Sequence, residues 1–387
     1  MNIPMFEKAE FDARIGRVQQ SMRRRELDAL VITAPPNFRY FSGYDSQFWE
    51  SPARPWFLVI PAEGETIAVI PEIGEPVIAA TGTVGSIKTW PAPRPKDEGV
   101  SLLSQTLLGL PRRFQRIGFE LGRESVLRMP ILDFLQVQKN LGATQAVDGS
   151  PCIWDVRNIK SAAEIEMIRT SAQIVSRSFE ALPGFARIGA TEADVCRSLT
   201  VDILTRGAHA VPFMACASGE GGYPEIISRP KARELREGDV LIVDVGATVH
   251  GYFCDFDRNY AVGKISDAAA RAHEAVWLAT EAGIQAARPG TKVSDLWRIM
   301  MNILEPAGMR SNNVGRLGHG LGLQLTEPPS NNSDDEAVLE AGMVITIEPG
   351  MEYAEGKMIV HEENIAISES GPILLTTRAP REMLSIN

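Results

Sequence analysis

The sequence is poor in several features that mark whole classes of protein. Its four cysteines show no C-x-x-C spacing and are too few for a disulfide framework, which favours a reducing compartment. No apolar run approaches the length of a membrane-spanning helix, and the polar start, residues 1–14, is unlike a signal peptide. We therefore expect a cytoplasmic protein with no membrane partner.

Positive charge is also scarce. The chain has 39 Lys and Arg against 49 Asp and Glu, which gives a net charge of −10 and a pI of about 5.2. Such a chain repels a phosphate backbone, so nucleic acid is not expected as a partner. The length of 387 residues, with 44% hydrophobic and 23% charged residues, is ordinary for a globular protein and sufficient for two domains with a large core.

The first part of the chain alternates predicted strands with predicted helices. The strands are apolar runs at 28–37, 55–61, 65–74 and 116–121. Alternation of this kind is typical of an α/β domain. A polar boundary near residues 151–160 separates it from the rest, so we predict domains at 1–155 and 156–387.

A segment rich in aromatic residues, 40–57, interrupts this pattern with seven aromatic side chains. One interpretation is a loop that covers the core of its own domain. The other is a binding surface or lid, because aromatics and arginine are enriched at contacts. In the second case Tyr44, Trp49, Arg54 and Trp56 are candidate substrate-binding residues.

The second part of the chain repeats one order of elements. Two predicted helices precede a predicted β-hairpin, and two more helices precede a second hairpin. Each hairpin carries an acid in both arms: 240–262 has Asp244 and Asp255, and 343–368 has Glu348 and Glu362. A first turn centred between Val249 and His250 places Asp244 opposite Asp255, and the second turn places Glu348 opposite Glu362.

Paired acids of this kind indicate a bound cation. Like charges opposite each other destabilise a β-ladder, and a buried carboxylate without a partner costs far more. A fifth candidate ligand, His319, lies in the glycine-rich stretch 315–322, where the backbone can approach a site closely. Taken singly, Asp244 is equally typical of a strand end and His319 of a loop, so spacing alone leaves both possibilities open.

The charges favour two ions rather than one. Four carboxylates balance two divalent cations and leave room for a bridging hydroxide, whereas one cation leaves a net charge of about −2 in a buried place. Oxygen ligands with one imidazole suit manganese, zinc or iron. The expected cofactors are therefore two divalent ions, Mn²⁺, Zn²⁺ or Fe²⁺.

Four segments carry a resemblance to a known family. They are DVGATVHGYFCDFDRNYAVG, GHGLGLQLTEPP, ITIEPGM and HEENIAIS. Together with the layout of the N-terminal part, they resemble the pita-bread metallohydrolases, which include creatinase, aminopeptidase P, prolidase and methionine aminopeptidase. The resemblance implies an α/β N-terminal domain and an α+β pita-bread catalytic domain with a pseudo-twofold internal repeat. It also implies a homodimer in which Trp49, Arg54 or Trp56 lies near the partner's metals.

The resemblance further implies individual roles for the ligands. Asp244 chelates one ion, Asp255 and Glu362 bridge, and His319 and Glu348 complete the other ion. Glu348 and His319 are then the catalytic residues, with Glu348 shuttling the proton of the attacking water. Asp257 is the main rival ligand, but Asp255 keeps the family's spacing from Asp244.

Two positions depart from the family's peptidases. Thr326 and Ile227 stand where those enzymes carry histidines that contact the scissile amide and the tetrahedral intermediate, so weak cleavage of Xaa-Pro peptides is expected. Thr326 is then a candidate substitute donor in substrate binding. The favoured function is hydrolysis of an amide or peptide bond in a short peptide or small molecule. The alternatives are a lyase acting on a small carboxylate such as dimethylsulfoniopropionate and, least favoured, a binding module.

Overall fold

The structure is a computed structural model that describes residues 6–51, 54–311 and 315–387. The chain forms two compact units, one ending at Arg157 and the other beginning at Asn158. Among the described residues no helix has the length and apolar character needed to cross a membrane.

The N-terminal unit is built on one mixed sheet of six strands in the order β4-β3-β2-β1-β5-β6. Its strands are β1 Ala29–Ile32, β2 Phe57–Pro61, β3 Ile67–Pro71, β4 Ser86–Trp90, β5 Arg116–Phe119 and β6 Gln145–Asp148, and its helices are α1 Lys8–Arg24, α2 Pro35–Ser42, α3 Glu75–Ala79, α4 Val100–Leu108, α5 Ile131–Leu141 and α6 Ser150–Arg157. Every residue of β1 and β2 is buried, as expected for strands covered on both faces. The predicted α/β domain is confirmed.

The C-terminal unit contains the remaining elements. Its helices are α7 Ala162–Ala181, α8 Glu192–Thr205, α9 Asp267–Ala286 and α10 Val293–Leu304; its strands are β7 Ala210–Glu220, β8 Asp239–Val249, β9 Tyr252–Val262, β10 His319–Gly320, β11 Glu327–Ser330, β12 Val344–Ile347, β13 Gly350–Ala354, β14 Lys357–Val360, β15 Glu363–Ser368, β16 Gly371–Leu374 and β17 Leu384–Ile386. Two helices precede the β8–β9 hairpin, and two more precede the β12–β15 pair. The predicted α+β repeat is therefore confirmed.

Local sequence explains where the first helix of this unit begins. The Ser161 side chain accepts a hydrogen bond from the Glu164 amide, and the Glu164 carboxylate accepts one from the Ser161 amide. This reciprocal capping box satisfies two amides that the helix leaves unpaired. The helix that it starts packs against β8 and β9, which carry the acids of the first hairpin.

The register of the first hairpin corrects one prediction. Val249 pairs with Tyr252, so the two-residue turn is His250–Gly251, with φ of 50° and 80°. Positive φ at both positions is what a type I′ turn requires. Asp244 is therefore opposite Asp257, and the predicted pairing of Asp244 with Asp255 is wrong by two residues.

The shift by two residues has a limited effect because side chains alternate along a strand. Asp255 and Asp257 remain on the face of the sheet that also carries Asp244. The second hairpin has the predicted register. Ile347 pairs with Glu363, and Gly350 pairs with Val360, so the two pairs bracket Glu348 and Glu362.

Candidate metal centre

Three side chains from separate segments of the chain converge in the C-terminal unit: Asp255 lies in β9, His319 in β10 and Glu362 directly before β15. One ligand atom each from Asp255, His319 and Glu362 lies within 4.8 Å of the others, and His319 Nε2 is 3.5 Å from Asp255 Oδ2. All three side chains are buried. These residues are three of the five predicted ligands, so the structure brings the two hairpins and the glycine-rich stretch to one place.

The other two predicted ligands, Asp244 and Glu348, belong to the same electrostatic group. Burial and the nearby charges of Asp255, Glu348 and Asp257 raise the pKa of Asp244 well above its usual value. Burial and the charges of Glu348, Asp255, Asp244 and Asp257 do the same to the pKa of Glu362. Asp244 and Glu348 are both partly exposed to solvent. Partial exposure is expected for side chains that face a site accessible from solvent. These two residues and the three that converge, Asp255, His319 and Glu362, are called the candidate metal centre.

The oxygens of this group fit a metal. Within the described residues, three carboxylate oxygens of this group are buried without a hydrogen-bond partner: Oδ1 of Asp244, Oδ1 of Asp255 and Oε1 of Glu362. A buried polar atom without a partner is costly, and hard carboxylate oxygens are the ligands that divalent cations prefer. Cation binding would compensate these oxygens.

The backbone around His319 fixes the ring. Its Nδ1 lies 2.9 Å from the Gly320 carbonyl oxygen, which holds the proton on Nδ1 and leaves Nε2 facing Asp255 as a ligand. A Cβ at Gly318, where φ is 127°, would overlap the Thr346 carbonyl oxygen. Glycine at this position therefore permits the close approach that the sequence predicted.

Side chains from both hairpins connect them. The Asp255 amide donates to Asn364 Oδ1 at 3.0 Å, and Asn364 Nδ2 donates back to the Asp255 carbonyl oxygen. On the same strands, Arg258 donates to the Glu362 carbonyl oxygen at 2.9 Å and to the Glu363 carboxylate at 3.0 Å. These contacts set the position of Asp255 relative to Glu362.

Asp257 occupies the position opposite Asp244 at which the sequence predicted Asp255. It is buried opposite Asp244, and burial raises the pKa of its carboxyl well above the usual value, against the opposing charge of Arg258. The three-residue cluster contains Asp255 and not Asp257. Asp255 as a ligand therefore stays a prediction, and Asp257 is a further buried acid two residues along the same strand.

The predicted aromatic substrate residues lie in the N-terminal unit. Tyr44 and Trp56 are buried and stacked at 5.0 Å, and Trp49 packs on both. This packing favours a loop that covers the core of its own domain. Trp49 and Arg54 are partly exposed, so a contact with substrate remains a prediction for them rather than for the buried rings.

The two positions that lack histidine differ from each other. Ile227 is 80% exposed, so it does not make an enclosed pocket more apolar. Thr326 is partly buried, and its Oγ1 accepts a hydrogen bond from Arg316 at 3.2 Å. Sequence reasoning missed Arg316, although it lies only three residues before the predicted ligand His319.

Comparisons with known proteins agree with this geometry. Residues 166–369 match the model of metallopeptidase family M24, and residues 14–159 match the Creatinase/Prolidase N-terminal domain. An uncharacterized peptidase of Staphylococcus haemolyticus is 28% identical over 367 residues, which cover 94% of this chain and 99% of that protein. Dipeptidase PepE of Mycobacterium ulcerans is similar in structure, with a TM-score of 0.85, 28% identity, and coverage of 98% of this chain and 99% of that one.

A prolidase of Thermococcus sibiricus is similar as well, with a TM-score of 0.85, 26% identity, and coverage of 97% of this chain and 99% of that one. The predicted resemblance is thus confirmed in both units. The family model spans more than half of the chain, and the protein belongs to metallopeptidase family M24 and is a hydrolase.

Proposed function

We propose that this protein hydrolyses short peptides with the help of two divalent metal ions held by Asp244, Asp255, His319, Glu348 and Glu362. The observation that carries the proposal is the convergence of Asp255, His319 and Glu362, whose ligand atoms lie within 4.8 Å of one another. Four carboxylates balance two divalent cations, which supports two ions per chain. The mixture of oxygen ligands with one imidazole supports manganese, zinc or iron.

The residues of the metal centre have separable tasks. Bound divalent ions lower the pKa of water and polarise a carbonyl oxygen. Burial raises the pKa of Glu348 to about 7 in the absence of ions, and bound cations would lower it because they favour the carboxylate. In this proposal Glu348 accepts a proton from the attacking water and returns it to the leaving amine. His319, fixed through Nδ1, holds its other nitrogen toward the centre.

The proposed substrate class rests on the similar structures and on two positions, 326 and 227, at which this chain lacks the histidines expected in the family's peptidases. The similar structures include a dipeptidase and a prolidase, which supports dipeptides, among them Xaa-Pro dipeptides. Thr326 replaces one expected histidine and Ile227 another, and each such contact is worth roughly 10²–10³ in kcat. We therefore propose a dipeptidase with reduced activity toward Xaa-Pro.

A direct assay tests this function. Protein loaded with manganese, zinc or iron is offered alanyl-alanine, alanyl-proline and dimethylsulfoniopropionate, and products are quantified by mass spectrometry. We expect dipeptide hydrolysis that a chelator abolishes, with kcat/KM for alanyl-proline below about 10⁴ M⁻¹s⁻¹, the lower end for natural substrates. Elimination from dimethylsulfoniopropionate without hydrolysis of either dipeptide would contradict the proposal and favour the lyase.

We also propose a homodimer in which the partly exposed Trp49 and Arg54 contact the partner subunit near its metal centre. The expected result is a dimer in light scattering, and Arg54→Ala should raise KM while metal content is unchanged. A monomer with full activity would contradict this arrangement.

We further propose a cytoplasmic location, which the four free, buried cysteines support.

A further inference from the structure

The C-terminal unit contains a cleft whose lining residues do not belong to the candidate metal centre. It has a volume of about 650 Å³ and lies between the end of β9, the first turns of α9 and the segment that leads into β17. Small-molecule sites usually have volumes of about 300–1,000 Å³. Ala261 in its wall and Asp255 both lie on β9, about 20 Å apart along the strand. The cleft is therefore separate from the candidate metal centre.

Backbone hydrogen bonds hold the walls of the cleft. β17 pairs with β9 in parallel, and the Gly263 amide donates to the Ile386 carbonyl oxygen at 2.8 Å. On the opposite wall, the Ser266 side chain caps α9 by accepting a hydrogen bond from the Ala269 amide at 3.2 Å. Because both walls are fixed in this way, the cleft is formed before any ligand binds, as is usual for small-molecule sites.

His273 lines this cleft and has unused hydrogen-bonding groups. The residue is 4% exposed, and in the part of the chain that the structure describes neither Nδ1 nor Nε2 has a hydrogen-bond partner. A buried polar group without a partner costs free energy. Burial and the charge of Arg378 lower the pKa of His273 to about 4, so the ring is neutral at pH 7 and offers one donor and one acceptor. A ligand in the cleft would compensate this cost.

The rim of the cleft carries charges of both signs. Arg381 pairs with Glu274, so these two charges compensate each other. Lys264, Arg271 and Glu382 are exposed, and within the described ranges none of the three has a salt bridge or a side-chain hydrogen bond. Two cations and one acid are therefore available to a ligand.

The ligand that matches this lining has three parts. Lys264 and Arg271 favour a carboxylate, which the planar fork of a guanidinium can bind through both oxygens. Glu382 favours a cationic group, and it would repel a ligand that is only an anion. Ile265 and Met383, both partly buried, add apolar surface. A free α-amino acid with an apolar side chain has all three parts.

We propose that this cleft is a second, non-catalytic site that binds a free α-amino acid with an apolar side chain. Its carboxylate binds Arg271 and Lys264, its ammonium group binds Glu382, and His273 supplies a further hydrogen bond. The source of this ligand rests on the proposed function, because the hydrolysis of dipeptides releases free amino acids. The cleft thus binds a product away from the place where it is formed.

Three compounds with the same branched apolar part test the charges. L-leucine has both charged groups, isocaproate lacks the ammonium group, and isoamylamine lacks the carboxylate. In calorimetry on manganese-loaded protein, L-leucine should bind at least about 10-fold more tightly than either of the others. The double variant Lys264→Gln with Arg271→Gln should weaken L-leucine binding about 10-fold or more. Glu382→Gln should remove the advantage of L-leucine over isocaproate.

The matched control is Arg197→Gln, which replaces an exposed arginine of α8 that pairs with Asp194; it should bind L-leucine like wild type. L-leucine binding that is unchanged in the cleft variants would place the ligand elsewhere and overturn the proposal. The absence of binding to wild type at millimolar L-leucine would overturn it as well.

Substitutions of His273 test the buried part of the site. Because both ring nitrogens lack a partner in the described part of the protein, His273→Leu should unfold at a urea midpoint no lower than wild type, while its affinity for L-leucine falls. His273→Gln keeps a donor and an acceptor and should bind more like wild type. A lower midpoint in His273→Leu with unchanged affinity would show that the histidine is structural and would overturn its part in the site.

The binding data and the peptidase assay fail independently. If L-leucine binding responds to the cleft variants while no dipeptide is hydrolysed, the amino-acid site stands and the proposed function fails. If dipeptides are hydrolysed while L-leucine binding ignores the cleft variants, the hydrolase stands and the amino-acid site is overturned.

Discussion

Replacing Asp255 with alanine will abolish turnover and remove most of the bound metal. Among the residues that the structure describes, Asp255 Oδ1 is buried without a hydrogen-bond partner, and Oδ2 is 3.5 Å from His319 Nε2, so this carboxylate lies where the predicted ligands converge. Metal activation of water is worth several kcal/mol. A loss of at least about 10³-fold in kcat/KM is therefore expected.

Asp257 provides the matched control for this substitution. It lies two residues further along the same face of β9, is also buried, and is outside the three-residue cluster. Asp257→Ala should keep metal content close to wild type, as measured by elemental analysis after reconstitution and gel filtration. Circular dichroism of both variants checks that each is folded. Metal loss in Asp257→Ala with retention in Asp255→Ala would show that the ligand is Asp257.

The acidic hairpins could be predicted because their signals are local. Apolar alternation, paired acids and glycine-rich turns are all properties of short segments. The register error at the first hairpin arose from turn chemistry, because His250 and Gly251 both adopt positive φ and so occupy the turn themselves. The acids were still predicted on the correct face of the sheet, because a shift of two residues preserves the alternation of side chains along the strand.

The supporting residues could not be predicted because their partners are distant in sequence. Asn364 contacts Asp255 across 109 positions, and nothing in the local pattern of either strand specifies that contact. Arg316 lies three residues before a predicted ligand, yet its side-chain contact with Thr326 is one that only the fold creates. For the aromatic segment the sequence left two interpretations open, because composition does not distinguish aromatics that bind from aromatics that pack.

Replacing Lys160 with methionine should destabilise the C-terminal unit more than any exposed substitution. Lys160 Nζ is 3.0 Å from Glu327 Oε2, and both side chains are buried, at 2% and 0% exposure. Removing one partner leaves an uncompensated buried charge, which costs about 3–5 kcal/mol. A lower urea midpoint at unchanged slope is the expected readout, and activity should fall as well because Glu327 adjoins Thr326.

A double substitution separates the charge from the packing. Lys160→Met with Glu327→Gln removes both charges while Gln can still accept the Gln324 amide, so much of the lost stability should return. Lys292→Met is the matched control, because Lys292 and Glu336 form an exposed pair, at 50% and 70% exposure; its cost should stay within about 1 kcal/mol. If the double variant is no more stable than Lys160→Met alone, the lost stability comes from packing around the lysine stem rather than from the buried carboxylate.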